Sequence, residues 1–218
     1  MSAFPNPIAY MSLGEKSKEL NKQLIHDLLH VANIDPLQMR SGVDIDQTVA
    51  GLQDRYDSFK SLKQIIDNIV LSSQSFFGIS GTPNSRTYWG NINNDGYAYH
   101  MPHSHNAKDM LAGVYFPTSG IDKDNLDVDV PLDEEVLIKS ASRPDPGDLV
   151  FLDPIHFAKT PVIMKDNVQR YPFFGNPICI TPKEGTLVLF PCWMPHMVSP
   201  TKKTNFTRIS IAFGVDFT

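Results

Sequence analysis

From residue 86 onward the chain is built of short extended runs, each closed by turn residues, with no helical pattern between them. The runs fall at 86–92, 97–105, 110–116, 149–152, 178–181, 186–190, 197–198 and 208–217. Their punctuation includes Asn93-Asn94-Asp95-Gly96, Gly147-Asp148, Asp153-Pro154 and Pro182-Lys183-Glu184-Gly185. Parallel strands need long crossover connections, usually helices, so this spacing predicts an antiparallel sandwich or barrel. Most of the seventeen prolines lie in this half, as expected for many turns and edge strands.

The first eighty residues have a different period. Between 15 and 34, Leu20, Leu24, Ile25, Leu28, Leu29 and Ala32 recur at helical spacing, and Asp35-Pro36 is a stop signal. After a polar stretch containing Ser41-Gly42, a second helix is predicted from 49 to 71. Its stripe carries Leu52, Tyr56, Phe59, Leu62, Ile65, Ile66, Ile69 and Val70. Two amphipathic helices need a surface to cover, and one face of a sheet supplies it. The expected organisation is therefore a single domain over 1–218, with a helical extension at 1–80 and an all-β core at 86–218.

Charge and cysteine usage narrow the class further. A net charge of −5 gives no electrostatic support to a nucleic-acid or anionic-membrane partner. No run of 18 apolar residues is present, and Met1-Ser2-Ala3-Phe4-Pro5 lacks the features of a signal peptide. With only Cys179 and Cys192, a disulfide framework is not expected and a reducing, cytoplasmic setting is.

Chemistry concentrates in the histidines. His103 and His105, at i and i+2 on an extended segment, point the same way. His196 follows the apolar run 186–190 in a proline-flanked turn and could close a three-point metal site. Imidazole suits iron, zinc, copper and nickel alike, so spacing alone leaves the metal open. His100 falls on the opposite parity unless Pro102 kinks the segment. His26 and His30, four apart on the first helix, are read as surface histidines, and the acidic stretch 122–135 as a solvated loop.

The last run adds a second element. Alternation puts Arg208, Ser210 and Ala212 on one face and Ile209, Ile211 and Phe213 on the other. A guanidinium inside a small barrel is costly unless it meets an anion. A carboxylate ligand fits that requirement, with the Ser210 hydroxyl as a further donor. An internal salt bridge to an aspartate is the alternative.

Trp89-Gly90-Asn91, His103-Ser104-His105, Ala112-Gly113-Val114-Tyr115-Phe116, Leu152-Asp153-Pro154, Gly185-Thr186-Leu187-Val188-Leu189-Phe190-Pro191, His196 and Arg208-Ile209-Ser210 follow one another in order. This set, spanning about residues 89–213, resembles the 2-oxoglutarate- and Fe(II)-dependent oxygenases, in the branch with an His-x-His pair and a Phe-Pro…His…Arg pattern. The resemblance implies a double-stranded β-helix (a jelly-roll, cupin-like core) with the N-terminal helices packed on one sheet. It assigns His103, His105 and His196 to iron, and Arg208 with Ser210 to the far carboxylate of 2-oxoglutarate. His105 stands where the wider superfamily has aspartate or glutamate, and Asp109 is the nearby carboxylate that a loop shift would bring in. Tyr115 is either a co-substrate contact or a core residue, while Asn91 and Asn93 are placed to line the mouth.

The implied cofactors are Fe(II), 2-oxoglutarate and O2, and the implied reaction is hydroxylation of an unidentified substrate. Two other readings stay open. One is a three-histidine cupin-type dioxygenase that needs no 2-oxo acid, and the other a non-catalytic metal-binding jelly roll. Specificity is expected in the loops 122–145 and 154–177. The second carries Lys159, Lys165, Arg170, Phe157, Tyr171, Phe173 and Phe174, suited to a small molecule or peptide, or to a homodimer contact.

Overall fold

The computed structural model describes residues 7–34, 42–43, 45–93, 98–105, 109–118, 120–122, 137–140, 144–152, 177–201 and 206–218. The turn at 94–96, the acidic stretch 123–135 and nearly all of the 154–177 loop, with His156, lie outside them.

The strands, in chain order, are β1 (Ala9–Ser12), β2 (Gly42–Val43), β3 (Ile45–Gln47), β4 (Pro83–Asn93), β5 (Tyr99–His103), β6 (Leu111–Phe116) and β7 (Ile121–Asp122). They continue as β8 (Leu137–Ser140), β9 (Leu149–Phe151), β10 (Ile178–Thr181), β11 (Thr186–Pro191), β12 (His196–Val198) and β13 (Phe206–Phe217). Among the described residues three α-helices accompany them, α1 (Lys18–Ile34), α2 (Leu52–Arg55) and α3 (Asp57–Phe77), with a 3-10 turn at Gly14–Ser17 leading into α1. One sheet runs β1-β11-β6-β13-β4-β3, with β7 on the end of β13, and the other runs β2-β5-β12-β9-β10-β8. Among the described residues every pairing is antiparallel. The antiparallel pairing is what the spacing predicted, and the two facing sheets form the double-stranded β-helix that the resemblance implied.

Strands β6, β11 and most of β13 in the first sheet are buried on both faces, and alternation sorts the sheet's side chains between two cores. Outward-facing Tyr88, Ile92, Leu111, Tyr115, Leu187, Leu189, Ile209, Ile211 and Phe213 pack under the helices. The helices answer with Leu24, Leu28 and Val31 from α1 and Phe59, Leu62, Ile66 and Val70 from α3. Each set recurs at three- and four-residue steps, the period that puts a stripe on one side of a helix. Inward-facing Ala112, Val114, Phe116, Val188 and Phe190 meet Leu149, Phe151 and Ile180 of the second sheet. Contact between α1 and the sheet is close enough that a Cβ on Gly90 would overlap the Leu28 Cδ2 methyl.

The predicted helix at 49–71 is in fact two. Gly51 turns the chain in the left-handed region (φ 88°), α2 follows, and Tyr56 is extended (φ −124°, ψ 135°) before α3 begins. Tertiary bonds explain the break. The Gly51 N–H donates to the Tyr88 carbonyl, and the Gln53 side-chain oxygen accepts the Tyr88 N–H, which pins α2 to the edge of β4. Helix α3 then runs past Leu71 to Phe77 and stops at Gly78, whose φ of 67° suits a helix terminator. No helix among the described residues is long and apolar enough to cross a membrane.

Candidate metal and 2-oxo acid site

Between the two sheets, a cavity is lined by Gln47, Trp89, Asn91, His100, His103, His105, Val114, Leu149, His196, Val198, Arg208, Ser210 and Ala212. It therefore takes side chains from β3, β4, β6 and β13 on one side and from β5, β9 and β12 on the other. His103 and the half-exposed Trp89 mark its open end, while Arg208 and Ser210, 7% and 3% exposed, mark the closed end.

His103, His105 and His196 offer ring nitrogens that all lie within 4.8 Å of one another. Strand register explains part of this: His103 and His196 are direct partners across β5 and β12, with ring centroids 4.3 Å apart. His105 lies just beyond β5 and is tied in by its own backbone, whose N–H donates to the Cys192 carbonyl at 2.9 Å. The rings of His105 and His196 are stacked 10° from parallel, and their Nε2 atoms stand 3.2 Å apart.

Two backbone carbonyls orient the rings. His103 Nδ1 lies 2.8 Å from the Met101 carbonyl and His196 Nδ1 2.9 Å from that of Met194. A carbonyl only accepts, so Nδ1 carries the proton in both rings and the Nε2 lone pairs face the cavity. Such a partner on the far nitrogen is the usual support of a metal-binding histidine. Burial holds His196 down to about 3, helped by His103, His105 and His100 and opposed by the Met194 carbonyl. Burial and then His103 hold His105 down to about 4, with Asp109 working against them. Both rings are thus neutral near pH 7, and a neutral imidazole keeps one ring nitrogen as a lone pair for a metal.

At the closed end Arg208 is buried with Nε and Nη1 lacking any hydrogen-bond partner. Burial pushes its guanidinium down to about 10, against the attraction of Asp148. No ion pair to Arg208 is formed among the described residues, and its guanidinium carbon lies 5.0 Å from the centre of the Phe116 ring. Asp148 is the aspartate whose charge acts on the guanidinium, and it still leaves Nε and Nη1 without hydrogen-bond partners. Unpaired buried donors of this kind call for an anion. Ser210 and Ala212 share the cavity face, and Ile209, Ile211 and Phe213 lie under the helices, as strand alternation predicted.

Two expectations change, for Tyr115 and His100, and the Asp109 alternative drops out. Tyr115 faces away from the cavity: it is fully buried beneath the helices and its hydroxyl donates to Asn21 Oδ1 on α1. Asp109 is engaged elsewhere, with its Oδ1 accepting from Arg86 Nε at 2.9 Å, and it is not in the histidine cluster. His100, by contrast, does face the cavity. Val198 pairs with His100 and His196 with His103, so four residues of β5 (100–103) lie opposite three of β12 (196–198). That bulge turns the odd spacing from 100 to 103 into a shared face. His26 and His30 sit on the exposed side of α1. Gln47 is a lining residue that sequence reading missed; its amide donates to Asn91 Oδ1 at 2.8 Å.

The donor set fits the cofactors expected from the resemblance. Nitrogens about 2.1 Å from a shared cation at right angles are separated by about 3 Å, close to the 3.2 Å between the two Nε2 atoms. Neutral imidazoles suit a divalent first-row metal, and the buried guanidinium suits a carboxylate in the same cavity.

Comparison with known proteins agrees. Residues 87–214 match the family described as Putative 2OG-Fe(II) oxygenase. No curated protein matches the chain in sequence. Among solved structures, a prolyl-4-hydroxylase from Pseudomonas putida is similar at 12% identity and a TM-score of 0.56, with 98% of this chain and 94% of that chain covered. HygX from Streptomyces hygroscopicus, with nickel and 2-oxoglutarate bound, is similar at 12% identity and a TM-score of 0.61, over 98% of this chain and 84% of that one. The epimerase SnoN, in complex with Fe3+, alpha ketoglutarate and nogalamycin RO, is similar at 14% identity and a TM-score of 0.61, over 97% and 79%. These likenesses carry the fold, and the family match takes in both the histidine cluster and Arg208. The chain belongs to the 2OG-Fe(II) oxygenase family, with Fe(II) and 2-oxoglutarate as its cofactors.

Proposed function

We propose that the protein couples oxidative decarboxylation of 2-oxoglutarate to hydroxylation of a C–H bond in a small-molecule or peptide substrate. His103, His105 and His196 hold Fe(II), and Arg208 with Ser210 holds the distal carboxylate. The observation that carries this reading is one cavity with converging imidazole lone pairs at its open end and an unpaired, buried guanidinium at its closed end. A three-histidine dioxygenase that uses no 2-oxo acid has no need of the second feature.

Bound together, the metal and the 2-oxo acid supply the oxidising chemistry: substrate C–H, O2 and 2-oxoglutarate give the alcohol, succinate and CO2. The protein's residues position and exclude. The Met101 and Met194 carbonyls hold two imidazoles in the metal-binding tautomer. Arg208 anchors the co-substrate by the end that does not react. Val114, Leu149 and Val198 keep the cavity walls apolar, which strengthens the charged contacts inside. Substrate approaches past Trp89 and His103, the exposed side. The related fold serves varied chemistry: one similar structure is a prolyl hydroxylase with a peptide fragment and another is an epimerase.

Succinate release from 2-oxoglutarate with Fe(II) and ascorbate tests the reading. It is expected for the wild type and lost in His196→Ala and Arg208→Ala. Absence of succinate with a panel of substrates, together with undiminished 2-oxoglutarate affinity in Arg208→Ala, would overturn it and leave a metal-binding jelly roll.

A further inference from the structure

Arg208 is not the only unsatisfied group at the closed end of the cavity. Asn93 is 1% exposed, and both its amide nitrogen and its amide oxygen lack hydrogen-bond partners. Asn93 is the direct register partner of Arg208 across β4 and β13. Directly opposed residues put their side chains on the same face about 5 Å apart at Cβ. That face is the cavity side, since the next pairs along, Asn91 with Ser210 and Trp89 with Ala212, line the cavity. Thr201 supplies a third orphan, a buried Oγ1 without a partner. Its Cγ2 and the Arg208 Cδ and Nε all come within 4 Å of the point where a Cβ on Gly147 would stand.

Three neighbouring side chains therefore hold five of the six buried side-chain polar atoms that lack a partner among the described residues, and each such group calls for an explanation. A carboxylate has about four lone-pair sites, more than Arg208 and Ser210 fill alone. We propose that Asn93 and Thr201 are co-substrate contacts that close the carboxylate pocket around Arg208 and set the length of 2-oxo acid the cavity accepts. This rests on the reading of Arg208 as the carboxylate anchor. Asn93 opposite Arg208 and Thr201 beside it would form the pocket floor together with the guanidinium: an acid one carbon longer would crowd Asn93, and one carbon shorter would not reach it.

Calorimetric titration of the nickel-loaded protein with oxaloacetate, 2-oxoglutarate and 2-oxoadipate tests this, alongside thermal unfolding without ligand. Asn93→Leu and Thr201→Val, both close in shape to the residues replaced, are expected to weaken 2-oxoglutarate binding about 10-fold each, the loss of one hydrogen bond to a charged group. They should also narrow its advantage over the other two acids. In the ligand-free protein the same variants should unfold at the same temperature or higher, because a buried unpaired polar atom is removed. Asn93→Ala is the second variant: its smaller side chain should admit 2-oxoadipate better than the wild type does. If Arg208→Ala loses 2-oxoglutarate while Asn93→Leu and Thr201→Val bind it within twofold of the wild type, the floor is refuted and the anchor stands. If Arg208→Ala itself binds normally, both fall.

Discussion

His105 Nε2 and His196 Nε2 face each other across 3.2 Å, ninety-one residues apart in the chain. The His196 ring keeps its Nδ1 proton on the Met194 carbonyl, so its Nε2 has only a lone pair to offer. A neutral His105 can donate to that lone pair from Nε2, or carry its proton on Nδ1 and leave both Nε2 atoms available to a cation. The same turn of chain, 191–195, supports both rings, since Cys192 also holds the His105 backbone.

Metal affinity follows from that arrangement. Replacing His196 or His103 with alanine removes a lone pair from a set of three and is expected to weaken Fe(II) or Co(II) binding by more than about 100-fold, beyond the effect of losing an outer-shell partner. Titration followed by Co(II) absorption would show it. Retention of wild-type affinity in His105→Ala would exclude His105 from the set.

Acid should destabilise the metal-free protein. Burial holds His100 and His196 at about 3 when folded, whereas both titrate near 6.5 unfolded. The unfolded chain therefore takes up protons first as pH falls. The stability contributed by the neutral rings is complete above 6.5 and is lost progressively toward 3. Between pH 7 and pH 5 each of the two is expected to remove about 2 kcal/mol. Urea unfolding at the two pH values checks this, and unchanged midpoints would contradict it.

Arg208→Met should bind 2-oxoglutarate poorly without loss of fold stability. The wild-type guanidinium is buried with two nitrogens unpaired, so an apolar side chain of similar length is expected to leave the ligand-free melting temperature equal or higher. Adding 2-oxoglutarate and metal should raise that temperature in the wild type and add nothing beyond metal alone in the variant. A variant that unfolds several degrees earlier would show instead that the guanidinium is structurally paired.

Tyr115→Phe separates a structural role from a catalytic one. The lost bond to Asn21 is expected to cost about 1–2 kcal/mol of stability and to leave the KM for 2-oxoglutarate unchanged. A tenfold rise in KM at unchanged stability would return Tyr115 to the cavity.

Gly90→Ala should be among the most damaging small substitutions in the sheet. Its Cβ would overlap Leu28, pushing α1 off β4 at a cost of about 1–3 kcal/mol. Leu28→Ala in the same chain is expected to recover part of that loss, since it vacates the space.

The sequence by itself determined the all-β core, the helical cover and the sorting of Arg208, Ser210 and Ala212 from Ile209, Ile211 and Phe213. These follow from local period, and a two-residue alternation survives any arrangement of the strands. It also made His103, His105 and His196 candidates, because a pair at i and i+2 shares a face wherever the segment lies. Only the tertiary structure decided the rest. Alternation says that Tyr115 and Gly113 share a face but not which face the helices cover; register with Leu187 and Ile211 puts Tyr115 under α1. His100 joined the cavity through a bulge against β12, a pairing irregularity that the spacing of β5 does not encode. The break at Tyr56 came from bonds tying Gly51 and Gln53 to Tyr88, the second thirty-five residues away, which no helical period contains. The His103-x-His105 pair was legible because its geometry is local; the partners that give it a function are long-range, and the fold had to bring them to it.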